Sequence, residues 1–234
     1  MKPLFAIFLL IGFAALGQGR NFTRASSQGY SESAPVTFYP ITVTAWARCS
    51  SISANGTVLS IGHTTSGNRT QLLFQNTGTF QVQSGPGALY GPTAVTVSTG
   101  VWYHVAAVVT VSGSTMTITQ YTNGVSAGSG SGTDAGADPL WNAFAAGQRH
   151  NGTSWGTFFE GDVADVCIWN VALDAGEIAS LASGCSPMLV RPGNLRGWLK
   201  LGESVFDRVT GGTITASGTP VLSVSSPPLL WGIR

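Results

Sequence analysis

Short runs in which apolar and polar residues alternate dominate this chain, with Gly, Asn and Ser between them. Ile41, Val43 and Ala45 alternate with Thr42, Thr44 and Trp46, and a period of two predicts a half-buried antiparallel strand over Ile41–Cys49. The same texture predicts strands over 57–63, 70–76, 79–84, 102–111, 116–124, 143–148, 159–170 and 196–201. Turn chemistry joins two pairs of them. "QNTGTF" and "YTNGVS" carry hairpin-type turns, and Asn-Gly is a strong signal because both residues tolerate positive φ. One stretch departs from the pattern. In "LDAGEIASLASG" (173–184), Asp174 stands three residues before Glu177 as in a capping box, Ile178 and Leu181 share a face, and Gly184 is a stop. That pattern predicts one short helix near 173–183. "GSGSGTDAGAD" (128–138) predicts an exposed flexible loop, and no repeat of 20 to 50 residues is visible.

Composition narrows the picture. The 234 residues are 43% hydrophobic and 10% aromatic, with 31 Gly, enough for one large β-rich core and poor in helix-forming texture. Strand after strand with turn punctuation indicates a two-sheet sandwich or jelly roll. Eleven basic against ten acidic residues give a formal charge of +1, and no run of Lys or Arg tracks along a segment. Nucleic acid is therefore not an expected partner.

The first residues differ from the rest. Lys2 precedes an apolar run from Leu4 to Leu16, followed by small residues at Gly17 and Gly19, the order of a secretory signal. Residues 1–19 are accordingly a signal peptide or, alternatively, an apolar N-terminal arm covered by a partner. Residues 20–222 form the domain and 223–234 a tail. The apolar run is too short to span a bilayer, and no other approaches that length, so an integral membrane protein is not expected. Cys49, Cys167 and Cys185 are an odd set without zinc spacing; one bridge among them, of unassigned pairing, and buried free thiols are both open. Sequons stand at Asn21, Asn55, Asn68 and Asn151.

The string "FFEGDVADVCIWNVALDAGEIASL", with "TFYPITVTAWARCSS", "WYHVAAVV" and "ITQYTNGV" before it, resembles the successive signatures of laminin-G-like modules of the concanavalin A-like lectin and glucanase superfamily. Phe159, Gly161, Val163, Asp165, Ile168, Trp169, Asn170 and Leu173 fall in register with the family's core strand and short helix. The resemblance implies an all-β, two-sheet antiparallel jelly roll. It also implies a non-enzymatic recognition or adhesion module, lectin-like and carbohydrate-binding, whose partner is a glycan or cell-surface polysaccharide. The tail "RPGNLRGWLKLGESVFDRVTGGTITASGTP" is similar to single-module proteins of tailed phages and prophage-like regions. That likeness implies, as the alternative, a structural or decoration protein of a phage-like particle with virion proteins as partners. Localisation follows the leader: secreted if it is cleaved, virion-associated otherwise. No cofactor is expected from the residues; calcium enters through the resemblance only, with Asp134, Asp138 and Asp207 as available acids.

Two residue sets carry candidate chemistry. Glu160, Asp162 and Asp165 resemble the acidic strand motif of laminarinase-type glycoside hydrolases, whose retaining mechanism needs two carboxyl groups about 5 to 5.5 Å apart. On a regular strand, Glu160 and Asp162 share a face and Asp165 points to the other, so that use requires a bulge. No catalytic residue is assigned. Arg149, His150, Asn151 and Trp155 in "GQRHNGTSWG" combine an aromatic face with polar partners for sugar hydroxyls and form the candidate binding loop. His104, within a strand, reads as structural.

Overall fold

A computed structural model describes residues 19–228 except 67, 86–88, 93, 134–139 and 203–205. Most of residues 1–19, two of the three candidate calcium acids (Asp134 and Asp138) and the last six residues of the tail lie outside the described residues. Strands are numbered in chain order. The first sheet runs β11 (Val125–Thr133), β10 (Thr115–Thr122), β9 (Tyr103–Ser112), β3 (Ile41–Cys49), β15 (Gly161–Trp169), β1 (Arg20–Phe22) and β18 (Val221–Leu222), with β16 (Leu195–Leu199) also paired to β15. The second runs β17 (Thr215–Ser217), β2 (Gly29–Glu32), β12 (Ala143–Ala146), β4 (Gly56–Gly62), β5 (Arg69–Gln75), β6 (Thr79–Gly85) and β7 (Leu89–Tyr90), with β8 (Val95–Thr96) also on β6. A small hairpin, β13 (Arg149–His150) with β14 (Trp155–Gly156), stands apart from both. All paired strands are antiparallel, as in a jelly-roll sandwich.

The predicted alternation sets the two inner faces. Ile41, Val43, Ala45 and Ala47 of β3 meet Leu72 and Phe74 of β5, Phe80 and Val82 of β6, and Val163, Val166 and Ile168 of β15 in one core. The opposite face of the first sheet is covered as well. Helix α1 (Ala175–Ala182) packs Ile178 and Leu181 there against Cys167, Trp169, Leu195 and Trp198. Its start is the predicted capping box: Asp174 accepts from the Glu177 N–H at 2.9 Å, and Glu177 accepts from the Asp174 N–H at 2.8 Å. Buried on both faces, β15 has no exposed residue.

Two backbone features fit β15 to its neighbours. Gly161 has φ 138°, and a Cβ there would lie 2.1 Å from the carbonyl oxygen of Arg48, so only glycine allows the approach to β3. Four residues later the pairing with β3 shifts between Ala164 and Cys167, and Asp165 takes φ 46°. The strand is thus bulged, not regular. The bulge turns Asp165 to the outer, helix-covered face, the face also used by Asp162.

The Asn-Gly hairpin forms as expected, with Asn123 at φ 51° and Gly124 at φ 81°. The segment from 128 departs from expectation: Gly128 to Thr133 is strand rather than loop. Hydroxyl pairs explain it, because Thr117 and Ser131 stand 3.0 Å apart and Thr119 and Ser129 2.7 Å apart. Solvent-facing cross-strand hydrogen bonds hold a Gly/Ser edge strand that lacks apolar payload. The sequence pattern also leaves β1, β2, β7, β8, the β13–β14 hairpin, β17 and β18 unassigned, all of two to four residues. Cys49 and Cys167 are buried free thiols, and Cys185 is free and half-buried. No disulfide joins the three.

Glu32, at the end of β2, faces Asp207, which is fully buried and accepts from the N–H groups of Trp198, Val209 and Thr210. Burial and then the hydrogen bond and charge of Asp207 push Glu32 up from 4.5 to about 8. A raised carboxyl stabilises the fold while protonated; that contribution is whole below pH 4.5 and lost as pH rises through 8. Asp165, raised by burial from 3.8 to about 6, acts in the same sense at lower pH, while His104, lowered by burial from 6.5 to about 3, acts oppositely below 6.5. Between pH 6.5 and 8 the change at Glu32 is the largest of the three, because Asp165 and the unfolded-state His104 titrate mainly below that window. Thermal unfolding should therefore show stability falling across that window by on the order of 1–2 kcal/mol after solvent screening. Glu32→Gln should flatten the slope, and a wild-type midpoint independent of pH there would refute the assignment.

Candidate functional site

The solvent face of the second sheet holds a hollow of about 560 Å³. Its position follows from strand alternation. On β5, Thr70, Leu72 and Phe74 turn inward, so Arg69, Gln71 and Leu73 turn outward and reach the hollow. Gln83 of β6 lies beside them. Thr57 donates to Gln71 Oε1 at 3.1 Å, and Gln71 Nε2 donates to Gln83 Oε1. These amides are buried and mutually oriented.

One wall comes from the segment that follows the small hairpin. The Thr57 N–H donates to the Thr157 carbonyl at 2.8 Å, and the Phe159 N–H donates to the Gly147 carbonyl at 2.8 Å, which lays residues 157–159 beside β4. Thr157 and Phe158 line the hollow there, and the exposed residues Ser53, Ala54, Asn55 and Asn76 form its rim. Three arginines converge on the space between: Arg24, Arg69 and Arg149. Arg24 donates from Nε to the Phe158 carbonyl at 3.0 Å and from Nη2 to the Ala54 carbonyl at 3.0 Å, tying wall to rim. Arg149 donates from Nε to Thr157 Oγ1 at 2.8 Å, and burial pulls its pKa down. Asp and Glu are absent from the lining among the described residues.

The sequence-predicted loop is divided by this arrangement. Arg149 pairs with Gly156 and His150 with Trp155 across the hairpin, so Arg149 and His150 project to opposite faces of the ribbon. Arg149 joins the hollow. His150 and Trp155 stack edge to face at 5.0 Å between ring centres, and Nδ1 of His150 accepts from the Gly152 N–H at 3.2 Å. Asn151 is committed to the turn, its Oδ1 accepting from the N–H groups of Thr153 and Ser154 and from the Thr153 hydroxyl. Of the four candidates, one lines the hollow. Arg24, Arg69, Gln71 and Gln83 were missed, although the alternation of 70–76 already places Gln71 and Leu73 on the face opposite Leu72 and Phe74.

The three carboxylates each have a structural partner. Glu160 accepts from the Arg24 N–H at 2.8 Å. Asp162 accepts from Arg48 Nε at 2.7 Å and Asn21 Nδ2 at 2.9 Å, and also takes Arg48 Nη2 at 2.5 Å. Asp165 accepts from Trp198 Nε1 at 2.9 Å beneath the helix. The expectation that Asp165 opposes Asp162 is corrected by the bulge, and the bulge still does not place Asp165 at an open cleft. His104 is 2% exposed and lies edge-on to Trp46 at 5.4 Å. Asp207 holds a loop through backbone N–H groups, and no cluster of three or more metal-ligating side chains exists among the described residues.

Two antiparallel sheets, with a hollow on the outer face of one, form a jelly-roll sandwich. Comparison with known proteins agrees: residues 24–179 match the laminin G family described as the concanavalin A-like lectin/glucanases superfamily, and the chain belongs to that family. It is 27% identical over 200 residues to the rat (Rattus norvegicus) sushi, von Willebrand factor type A, EGF and pentraxin domain-containing protein 1. That match covers 82% of this chain and only 6% of the rat protein. Among solved structures, one provisionally described as a carbohydrate binding protein from Bacteroides ovatus superimposes with a TM-score of 0.60 at 20% identity, over 90% of this chain and 62% of that one. The carbohydrate-binding module (CBM40) of the Ruminococcus gnavus IT-sialidase, bound to α2,3 sialyllactose, does so with a TM-score of 0.54 at 14% identity, over 72% and 98%. At these identities the structural likeness shows the fold.

Asp162, with a side chain 3% exposed, is a structural anchor in this arrangement. Asp162→Asn leaves the Arg48 guanidinium without its counter-charge and should cost about 2–4 kcal/mol in chemical denaturation. A catalytic Asp162 would instead leave stability near wild type and abolish a glycan-cleaving activity.

Proposed function

We propose that this chain is a non-catalytic carbohydrate-recognition module that holds a glycan in the hollow of the second sheet. The observation that carries the reading is the hollow itself: about 560 Å³ of space over a floor of pre-oriented amides and Leu73, walled by guanidinium groups. Planar amides and guanidinium groups match the paired hydroxyls of a sugar, and fixing them in the free protein lowers the ordering cost of binding. Carbohydrate binding in the described role of the Bacteroides ovatus structure supports this reading. The partner is a glycan or cell-surface polysaccharide, and the apolar run at residues 4–16 supports a location outside the cytoplasm.

A second reading is favoured by one other feature. Val221 and Leu222 lie on β18, at the edge of the first sheet, and are 60% and 42% exposed; Val224 beyond them is fully exposed. An apolar sheet edge invites a protein neighbour. It suits a structural or decoration role, with neighbouring proteins of a particle as partners.

Glycan-array binding followed by titration calorimetry separates the hollow from the hairpin tip. Ala54→Trp, on the exposed rim, should fill the entrance and weaken binding at least tenfold with an unchanged melting temperature. Trp155→Ala should leave binding within about twofold. Absence of binding to every glycan, with stoichiometric recovery in protein particles, would favour the second reading.

A further inference from the structure

The hollow is cationic in a chain that is nearly neutral. Of eleven Lys and Arg residues in the whole sequence, three arginines stand around this one space. They arrive from separate parts of the fold: Arg24 from the turn after β1, Arg69 from the start of β5, and Arg149 from the small hairpin. The remaining described lining is neutral: Ser53, Asn55, Asn76, Gln71, Gln83 and Thr157 supply its other polar side chains. Two arginines outside the hollow pair with acids, Arg48 with Asp162 and Arg191 with Glu177. Here the partners of the Arg24 guanidinium are the carbonyls of Phe158 and Ala54 and the Ser53 hydroxyl, and that of Arg149 Nε is the Thr157 hydroxyl. Neutral acceptors orient the guanidinium groups of Arg24 and Arg149 without cancelling their charge. Glu160 turns its carboxylate to the backbone N–H of Arg24 and does not line the hollow.

We infer that the hollow selects acidic glycans, with a carboxylate or sulfate group of the sugar seated among Arg24, Arg69 and Arg149. A guanidinium presents a planar fork of donors that matches both anions and is more weakly hydrated than an ammonium, so it suits a recessed site. Low local dielectric strengthens the attraction. The buried amides of Gln71 and Gln83 set the floor beneath the anion-bearing ring. The inference rests on the reading of the hollow as the glycan site and adds its ligand class.

The test uses the full chain on an array of uronic-acid, sialic-acid and sulfated oligosaccharides, each beside its neutral counterpart made by methyl esterification or desulfation. Binding should be confined to the acidic members, fall at least tenfold on neutralisation, and weaken as salt is raised from 50 to 500 mM. Arg69→Gln and Arg149→Gln should each reduce acidic-glycan binding at least tenfold, while circular dichroism and melting temperature stay near wild type. Arg149→Lys, which keeps charge but loses the fork, should bind at an intermediate level. Which acidic members bind distinguishes carboxylate from sulfate. Equal affinity for neutral counterparts, still blocked by Ala54→Trp, would overturn the inference and leave the glycan site standing. Acidic-glycan binding that ignores both glutamine variants would overturn it as well. Failure of every glycan to bind would remove the site and the inference together.

Discussion

The burial of β15 on both faces is the constraint to which the rest of the molecule answers. Its inner face, through Val163, Val166 and Ile168, joins the core between the sheets, and its outer face, through Cys167 and Trp169, lies under the helix. A strand in that position cannot leave polar groups unpaired. Asp162 is therefore met by Arg48 and Asn21, and Asp165 by the indole N–H of Trp198. The close pass of Gly161 to the Arg48 carbonyl fixes where the chain enters the strand, and hence where the preceding residues 157–159 run along β4. The wall of the hollow is set by the same segment.

The acidic string and the hollow are separate features of this fold. The acidic string that draws attention in the sequence is consumed by packing, whereas the hollow is formed by residues that are unremarkable one at a time. Arg24, Arg69 and Arg149 are 45 and 80 positions apart in the chain, and only the sandwich brings them together. Their orienting partners are mostly backbone carbonyls and hydroxyls, which a sequence does not reveal as partners.

Legibility followed the strength of local signals. The long strands were readable because their alternation persists over seven or more residues, and β3 was bounded correctly at both ends. The helix was readable from its box, since Asp174 and Glu177 satisfy each other's backbone without help from the tertiary fold. Strands of two to four residues carry too few alternations to register, and β11 is held by hydroxyl pairs with β10 and by backbone pairing rather than by an apolar alternation of its own. The bulge at Asp165 was invisible for a related reason: it resolves a conflict between β3 and β15, and neither sequence alone states it. In the candidate loop the residue types were those of a site, but the hairpin's period of two sent them to different faces.

The three thiols bear on how the module can be used. Cys49 and Cys167 are buried singly, the first directing its S–H toward the Ser98 carbonyl and the second toward that of Asp165. With no covalent staple, the sandwich owes its integrity to packing and hydrogen bonds, and glutathione poise has no bond here to break. The order of the described sandwich therefore calls for no bond among these three cysteines.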